Sequence, residues 1–417
     1  MRRELAALAA FLVPVALAPA AHAGGLARPN VISARAIGWG GAYTAVADDP
    51  TALHYNPAGM ALQLDDTILV GGEGIVAPRS YKPLQADGSV GEAQSPANTP
   101  GFLPVLGYVT RLHQDGQPSR WALGVGFWST YGGALDYGKG DPSKKAINST
   151  TIGLLEVVPG IAYEVNDFLQ LGAAFRLGYG IFSVNATRHV AASVDASTSG
   201  LGTGFTTGAM ISPTHTLRLG LVWRSPINID TKGTADIDVA GTGTIQHVDA
   251  SLTENWPQQA SISAHWQATP ALGLALQADW TDWSAMQGLT VNAGPVSDTN
   301  QTDFEDSYAA HIGAQYRVSD ELALRGGYTL DGNAVPDRTI DRTFLDQRKH
   351  CVAVGVGWDV RSWFTLDAAF ETVFGPVRHV ADNSADYPAQ FQSRANVAPG
   401  DHSGQVYSLE LAAQFHY

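Results

Sequence analysis

The chain ends on YSLELAAQFHY, Tyr407–Tyr417, and the alternation in this stretch decides the fold. Tyr407, Leu409, Leu411, Ala413, Phe415 and Tyr417 alternate with Ser408, Glu410, Ala412, Gln414 and His416. Period two puts the apolar side chains on one face of a strand and the polar ones on the other. Leu217, Leu219, Leu221 and Trp223 repeat the pattern, as do Leu272, Leu274, Leu276, Ala278 and Trp280, and Phe364, Leu366, Ala368 and Phe370. A soluble sandwich also alternates. Length separates the two: sandwich strands run about five or six residues, whereas a membrane-crossing strand needs about nine to eleven. Most segments here reach ten or more.

Fourteen such segments lie near 67–77, 101–112, 120–130, 151–164, 168–182, 203–212, 215–226, 254–267, 270–283, 306–317, 320–331, 347–359, 362–374 and 405–417. The gaps near 113–119, 165–167, 213–214, 268–269, 318–319 and 360–361 are short. Those near 78–100, 131–150, 183–202, 227–253, 284–305, 332–346 and 375–404 are long, and the two kinds alternate. The pattern predicts an all-β fold: a transmembrane up-and-down antiparallel β-barrel of about 14 strands, with tight periplasmic turns and long outer loops. An even count brings both ends of the barrel to the periplasmic mouth. Tyr163, Phe168, Trp266, Tyr316, Trp358 and Trp363 fall beside short turns. Trp128, Tyr131, Tyr179, Trp223, Trp280, Trp283 and Tyr328 fall toward the long loops. Two aromatic belts are what the two lipid–water interfaces select.

Residues 1–23 read as a secretory signal: Arg2 and Arg3, an apolar run Leu5–Ala20 broken by Pro14, and Ala21-His22-Ala23 as the cleavage site. No later apolar run is long enough for a membrane helix. Removing Arg2, Arg3 and Glu4 takes away one net positive charge, from −14 to −15. An acidic chain without a basic run argues against nucleic acid as a partner. The one cysteine, Cys351, excludes an internal disulfide framework and reads as a small buried residue.

Ser33–Met60, SARAIGWGGAYTAVADDPTALHYNPAGM, departs from the strand pattern. Gly38, Gly40 and Gly41, then Asp48-Asp49-Pro50, then Asn56-Pro57-Ala58-Gly59 are helix-start and turn signals packed too densely for a strand. A compact segment just before the first strand is placed to fold into the lumen. The expected organisation is a signal at 1–23, an N-terminal hatch at 24–66 and the barrel at 67–417.

There is no G-x-S-x-G elbow, H-E-x-x-H helix, Walker loop or Cys/His zinc spacing. No enzyme activity, cofactor or metal is therefore expected, although a Ser/His pair on adjacent strands stays open. GLGTGFTTG, Gly200–Gly208, reads as a flexible loop-to-strand junction. His265, His311 and His416 occupy polar-face positions lining the lumen or a turn. Arg176, Arg218, Arg317, Arg325, Asp279, Asp367, Glu371 and Glu410 are expected inside, as in a wet barrel interior. A sharper reading gives Arg176, Arg218 and Arg325 contacts with a substrate carboxylate or with the hatch.

The Gly/Tyr run, Ala-Asp-Asp and Asn-Pro-Ala of Ser33–Met60 resemble the N-terminal hatch of the FadL family, outer-membrane channels for long-chain fatty acids and other hydrophobic molecules in Gram-negative bacteria. Trp121–Tyr137, Trp223-Arg224-Ser225, Asp279–Ser284 and Asp306–Asp337 are similar to further parts of that family. The resemblance implies a passive channel in the bacterial cell outer membrane: capture between outer loops, an internal apolar pocket and lateral exit beside a kinked third strand. Tyr131-Gly132-Gly133 matches the kinked segment, where glycine would break the ladder. Asn56, Pro57, Ala58 and Gly59 match the hatch signature, a rigid turn with the Asn side chain bonding nearby backbone. The implied partners are a hydrophobic small molecule and outer-membrane lipid, with the protein a monomer. Which hydrophobic molecule stays open, since loops 183–202 and 227–253 are mostly Ala, Ser, Thr, Asp and Gly, poor in apolar groups for an acyl chain. The alternatives are a general diffusion porin, which would lack a hatch, and a surface adhesin or outer-membrane hydrolase.

Overall fold

A computed structural model of the chain describes residues 32–114, 117–138, 147–188, 192–239, 244–294, 296–340, 346–382 and 398–417. The expected signal at 1–23 and the start of the expected hatch, 24–31, lie outside the described residues. The strands in chain order are β1 Thr67–Val76, β2 Arg79–Pro83, β3 Gly101–Gln114, β4 Gln117–Asp136, β5 Ile147–Asn166, β6 Leu169–Arg188 and β7 Ala192–Thr214. There follow β8 Leu217–Arg224, β9 Ile227–Val239, β10 Thr244–Trp256, β11 Gln259–Gln267, β12 Leu272–Thr281, β13 Gly288–Ala293 and β14 Val296–Gln301. The last are β15 Ser307–Arg317, β16 Leu322–Asp331, β17 Lys349–Arg361, β18 Phe364–Phe374, β19 Arg378–Val380 and β20 Gly400–His416.

Fourteen of them close a ring in which every neighbour is antiparallel: β1, β3 to β8, β11, β12, β15 to β18 and β20. Closure is made by the opening stretch itself. Tyr407 pairs with Val76 and His416 with Thr67, so the last strand zips along the first. Each of the fourteen expected segments falls on one ring strand. Closure leaves no unpaired edge, the condition for a sheet to sit in hydrocarbon. No described helix is long and apolar enough to cross a membrane.

The alternation is inverted relative to a water-soluble sheet. On β20, Leu409 and Leu411 are 54% and 58% exposed, whereas Ser408 and Glu410 are 2% and 0%. Apolar side chains face outward and polar ones inward, as a bilayer solvent demands. Trp121, Phe168, Trp266, Tyr316, Trp358 and Trp363 form an outward band at the short-turn end. At the other end Tyr179, Trp223 and Tyr328 face outward, but Trp128, Tyr131 and Trp283 are buried inside, against the belt expected of them.

Two further expectations are corrected. The stretches 183–202 and 227–253 are not open loops. β6 and β7 extend to Arg188 and Ala192, and β9 pairs with the upper part of β7, from Ala192 opposite Val239 to Ser199 opposite Lys232. Ile227, Ile229, Thr231, Ala235 and Ile237 keep a buried face along β9, so period two outweighs the local Gly and Asp. Gly200–Gly208 lies wholly within β7 rather than at a junction. Its inward glycines make room for Ile227 and Ile229.

Nearly every side chain from Ile32 to Gln63 is buried. A short helix, Ala34–Gly38, is capped by Ser33, whose hydroxyl accepts from the Ala36 amide. The chain then turns through Gly40 and Gly41, both at positive φ. A second helix, Ala52–Tyr55, leads into a 3-10 helix, Pro57–Leu62, with Pro57 at its first position and Asn56 as cap. The first helix packs on β16, β17, β18 and β20, and the 3-10 helix on β4 to β7. The segment therefore touches opposite sides of the ring. Burying Trp39 and Tyr43 contributes on the order of 4 to 6 kcal/mol each, at about 25 cal/mol per Å² of apolar area.

Candidate functional site

The Asp48-Asp49 pair fixes the segment's own shape. Arg35 Nη1 lies 2.6 Å from Asp48 Oδ1. Asp49 accepts from the Thr51 amide at 2.9 Å and from the Tyr43 hydroxyl at 2.7 Å. Burial alone would raise Asp48, but Arg35 and then Arg218 outweigh it and hold the carboxyl below its ordinary value. Asp49 is raised by the same burial, only partly offset by Arg35.

Wall side chains grip the segment's backbone. Gln277 Oε1 accepts from the Tyr43 and Thr44 amides at 3.0 and 2.9 Å. Thr329 Oγ1 donates to the Gly40 carbonyl, and His311 Nδ1 lies 2.9 Å from the same oxygen. His311 Nε2 meets Asp279 at 3.0 Å, tying three ring strands to one point. Two wall glycines allow contact at backbone range. A Cβ at Gly327 on β16 would collide with Gly40, and one at Gly208 on β7 with Asn56 Oδ1. Asn56 caps the 3-10 helix by accepting from the Ala58 amide, and its Nδ2 donates to Ala209 O and Thr44 O. Pro57, Ala58 and Gly59 pack behind it, all buried.

β4, the third ring strand, carries one extra residue against β5. Ser129 pairs with Leu155 and Tyr131 with Leu154, leaving Thr130 unopposed. Gly132 and Gly133 remain in regular register with Gly153 and Ile152, so the break precedes the Tyr131-Gly132-Gly133 segment by one residue. The bulge flips the strand's parity. Below it Ala122 and Trp128 face inward; above it Tyr131, Gly133 and Leu135 do. Ser129 and Thr130 are buried as well, so four consecutive side chains turn inside. The glycines do not announce this parity change, because the residue that bulges is a threonine.

Thr130 Oγ1 donates to Glu156 on β5. Glu156 also pairs with Arg176 on β6 and, at 3.3 Å, with Arg224 on β8. Arg224 Nη1 reaches His54 of the central segment, 2.8 Å from Nδ1. Of the three arginines singled out by sequence, Arg176 is fully buried in this group. Arg325 pairs with Asp367 and donates to Gln315 at 2.8 Å, touching Gly38. Arg218 lies on β8 opposite His265 and joins neither group. Arg317, expected inside, is exposed at the turn end of β15. Sequence reasoning passed over Arg224 and Glu156. Alternation around Leu221 and Trp223 places Arg224 on the polar face, which is the available signal.

Between segment and wall lies a cavity of about 50 Å³, bordered by His54, Tyr55, Thr130, Tyr131, Arg224 and Gln277 among others. It has room for water but not for a drug-sized molecule. Above it, Tyr131 stacks on Trp256 with ring centres 4.9 Å apart, and Trp283 meets Tyr131 edge-on at 5.7 Å. These rings belong to an apolar cluster that continues through Leu154, Phe182, Ile227, Ile229 and Leu252. Glu254 on β10 is enclosed in it and accepts from Trp256 Nε1 at 2.9 Å. β10 lies outside the ring strands, and burial pushes the Glu254 carboxyl up to about 8. A larger groove of about 660 Å³ lies on the outer face between Trp223, Ile262, Trp280 and Tyr308.

A closed 14-strand barrel with apolar exterior and a lumen filled by an N-terminal segment narrows the possibilities sharply. A family model described as outer membrane protein transport protein (OMPP1/FadL/TodX) matches residues 15–415. The chain belongs to this family. It is accordingly an outer-membrane protein. The long-chain fatty acid transport protein of Escherichia coli K12 is 23% identical over 209 residues, 46% of each chain. The chain thus spans about half the length of the curated fatty acid transport proteins it matches. A FadL homologue from Pseudomonas aeruginosa superposes with TM-score 0.79 at 17% identity, covering 94% of this chain and 99% of that one. The Pseudomonas putida toluene transporter TodX gives 0.72 at 17%, covering 94% and 100%. These two structures share the FadL-type barrel with this chain.

Proposed function

We propose that the protein is a passive channel for uptake of hydrophobic molecules across the outer membrane, with residues 24–66 as a hatch. The observation that carries the reading is the burial of Ile32–Gln63 inside the ring, gripped by Gln277, His311, Thr329 and Ala209. A filled lumen suits solutes that do not need a water path. Each methylene moved from water to an apolar site gains about 0.8 kcal/mol, so an acyl chain or arene favours leaving through the wall into lipid. The bulge at Thr130, with Tyr131, Gly132 and Gly133 above it, is the point on the wall where the ladder is interrupted beside a cavity, and lateral exit is assigned there. Arg176 and Arg325 hold wall and hatch in this reading rather than a free carboxylate; Arg218 is the one of the three left for solute. The protein acts as a monomer surrounded by lipid and performs no catalysis.

Long-chain fatty acids and aromatic hydrocarbons are the substrate classes named for its relatives, and both are apolar enough for this route. A general diffusion porin is disfavoured by the filled lumen. Uptake in a strain lacking the protein tests the proposal. Growth on fatty acids and on toluene-like compounds should fall for at least one class and return with the wild-type chain. Unchanged growth on both would overturn the reading.

A further inference from the structure

Four side chains from four elements form one unbroken polar chain: Thr130 at the bulge, Glu156 on β5, Arg224 on β8 and His54 in the central segment. The geometry points to a relay in which Glu156 is the positioning residue, coupling the bulge of β4 to the docking of the hatch. The proposal rests on the channel reading above and adds a coupling that this reading does not require.

Glu156 is the hinge of the relay because it is the anion on which both cations lean. Arg176 and Arg224 each pair with it, and Arg176 is further fixed by donating to Ser225 O at 2.9 Å. All are buried, with Glu156 at 1% and Arg176 at 2%. The Nε atoms of both arginines have no partner among the described residues, and Glu156 is the anion that pairs with each guanidinium. A buried charge that loses its partner is strongly penalised, so the members move together. Thr130 is held inward by Glu156, and that hold keeps the extra residue in the bulge. If His54 withdraws with the hatch, Arg224 loses its hydrogen bond to the segment and shifts its remaining bond with Glu156. The pull on Thr130 then changes. Trp128 also meets His54, edge-on at 5.7 Å, but that contact is packing and does not pass through Thr130 Oγ1.

The test uses the full chain in nanodiscs. Thr130→Val removes the hydroxyl at nearly constant volume, Thr130→Ser restores it, and His54→Phe, which has no acceptor for Arg224, cuts the other end. Hydrogen exchange of the amides of residues 51–56 reports docking. Coupled residues in one network interact by a factor of roughly 2 to 150. Thr130→Val is expected to speed exchange of those hatch amides about threefold or more, Thr130→Ser to return it, and the double variant with His54→Phe to add little beyond the larger single effect. Heat-modifiable electrophoretic mobility checks that each barrel is folded. Unchanged hatch exchange in folded Thr130→Val, or effects of the two variants that multiply, would overturn the relay. Uptake of a fluorescent fatty acid into proteoliposomes by the wild type tests the channel separately, so a relay present without uptake would sink only the transport reading.

Discussion

Asn56 Nδ2 donates to Ala209 O at 3.0 Å, so one side chain of the central segment extends the hydrogen bonding of wall strand β7. The same amide group donates to Thr44 O, and its carbonyl caps the 3-10 helix at Ala58. Asn56→Ala removes all three bonds and strands the buried Thr44 carbonyl and Ala58 amide. At about 1–3 kcal/mol for each buried group left unsatisfied, hatch docking should weaken by a few kcal/mol. Limited proteolysis of the folded barrel would show new cleavage within 33–60. Asn56→Asp should be worse, since a carboxylate faces both carbonyls.

Gly208 and Gly327 mark where hatch and wall approach at backbone distance. Gly208→Val should displace Asn56, while the barrel, whose strands pair without that side chain, still folds. The expected outcome is normal heat-modifiable mobility with a protease-sensitive hatch. A protected hatch in this variant would show that the contact is not needed.

His54 is held well below its ordinary value, first by burial and then by Arg224 and Arg176. A released hatch would titrate near 6.5 while the docked one stays neutral. Docking is then at full strength above about 6.5 and weakens as pH falls below it. The protection of hatch amides, relative to the exchange rate of an unstructured chain at the same pH, should be lower at about pH 5 than at about pH 7.5. In His54→Gln that difference should shrink, because no proton binds at this position.

Glu254 has the opposite sign. Its folded value, raised to about 8, means that stability is present below 4.5 and lost as pH rises toward 8. Glu254→Gln removes the cost of ionising this carboxyl in place. That cost is about 1.4 kcal/mol for each pH unit separating the folded value from 4.5. Thermal unfolding should therefore find the variant more stable than wild type at about pH 9, with the gap closing toward pH 5. A constant gap across that range would show that ionisation of Glu254 is not the cause.

The ring is legible in the sequence because period two runs through most of each strand, interrupted on β4 only at the bulge, and because a bilayer inverts its meaning without erasing it. The central segment is legible as a non-strand element because Gly40-Gly41 and Asn56-Pro57 cannot continue a strand. The β9–β10 hairpin is hidden: its Gly, Ser and Thr content resembles a loop, and only burial of Ile227, Ile229 and Ile237 reveals the face. The bulge lies one residue before its expected place because glycine advertises a break, whereas Thr130 creates one through a bond to Glu156, a residue 26 positions away in sequence. Trp128 and Tyr131 depart from the expected belt because composition cannot tell which way a bulged strand faces, and Trp283 because it lies in a 3-10 turn, Trp283–Ala285, beyond the end of β12.

The central claim is that the lumen is plugged. Planar-bilayer conductance of the intact protein against a variant lacking residues 33–60 tests it most directly. The intact protein should pass little or no ion current, and the deletion should conduct like an open porin. Intact protein that already conducts as well as the deletion would contradict the account.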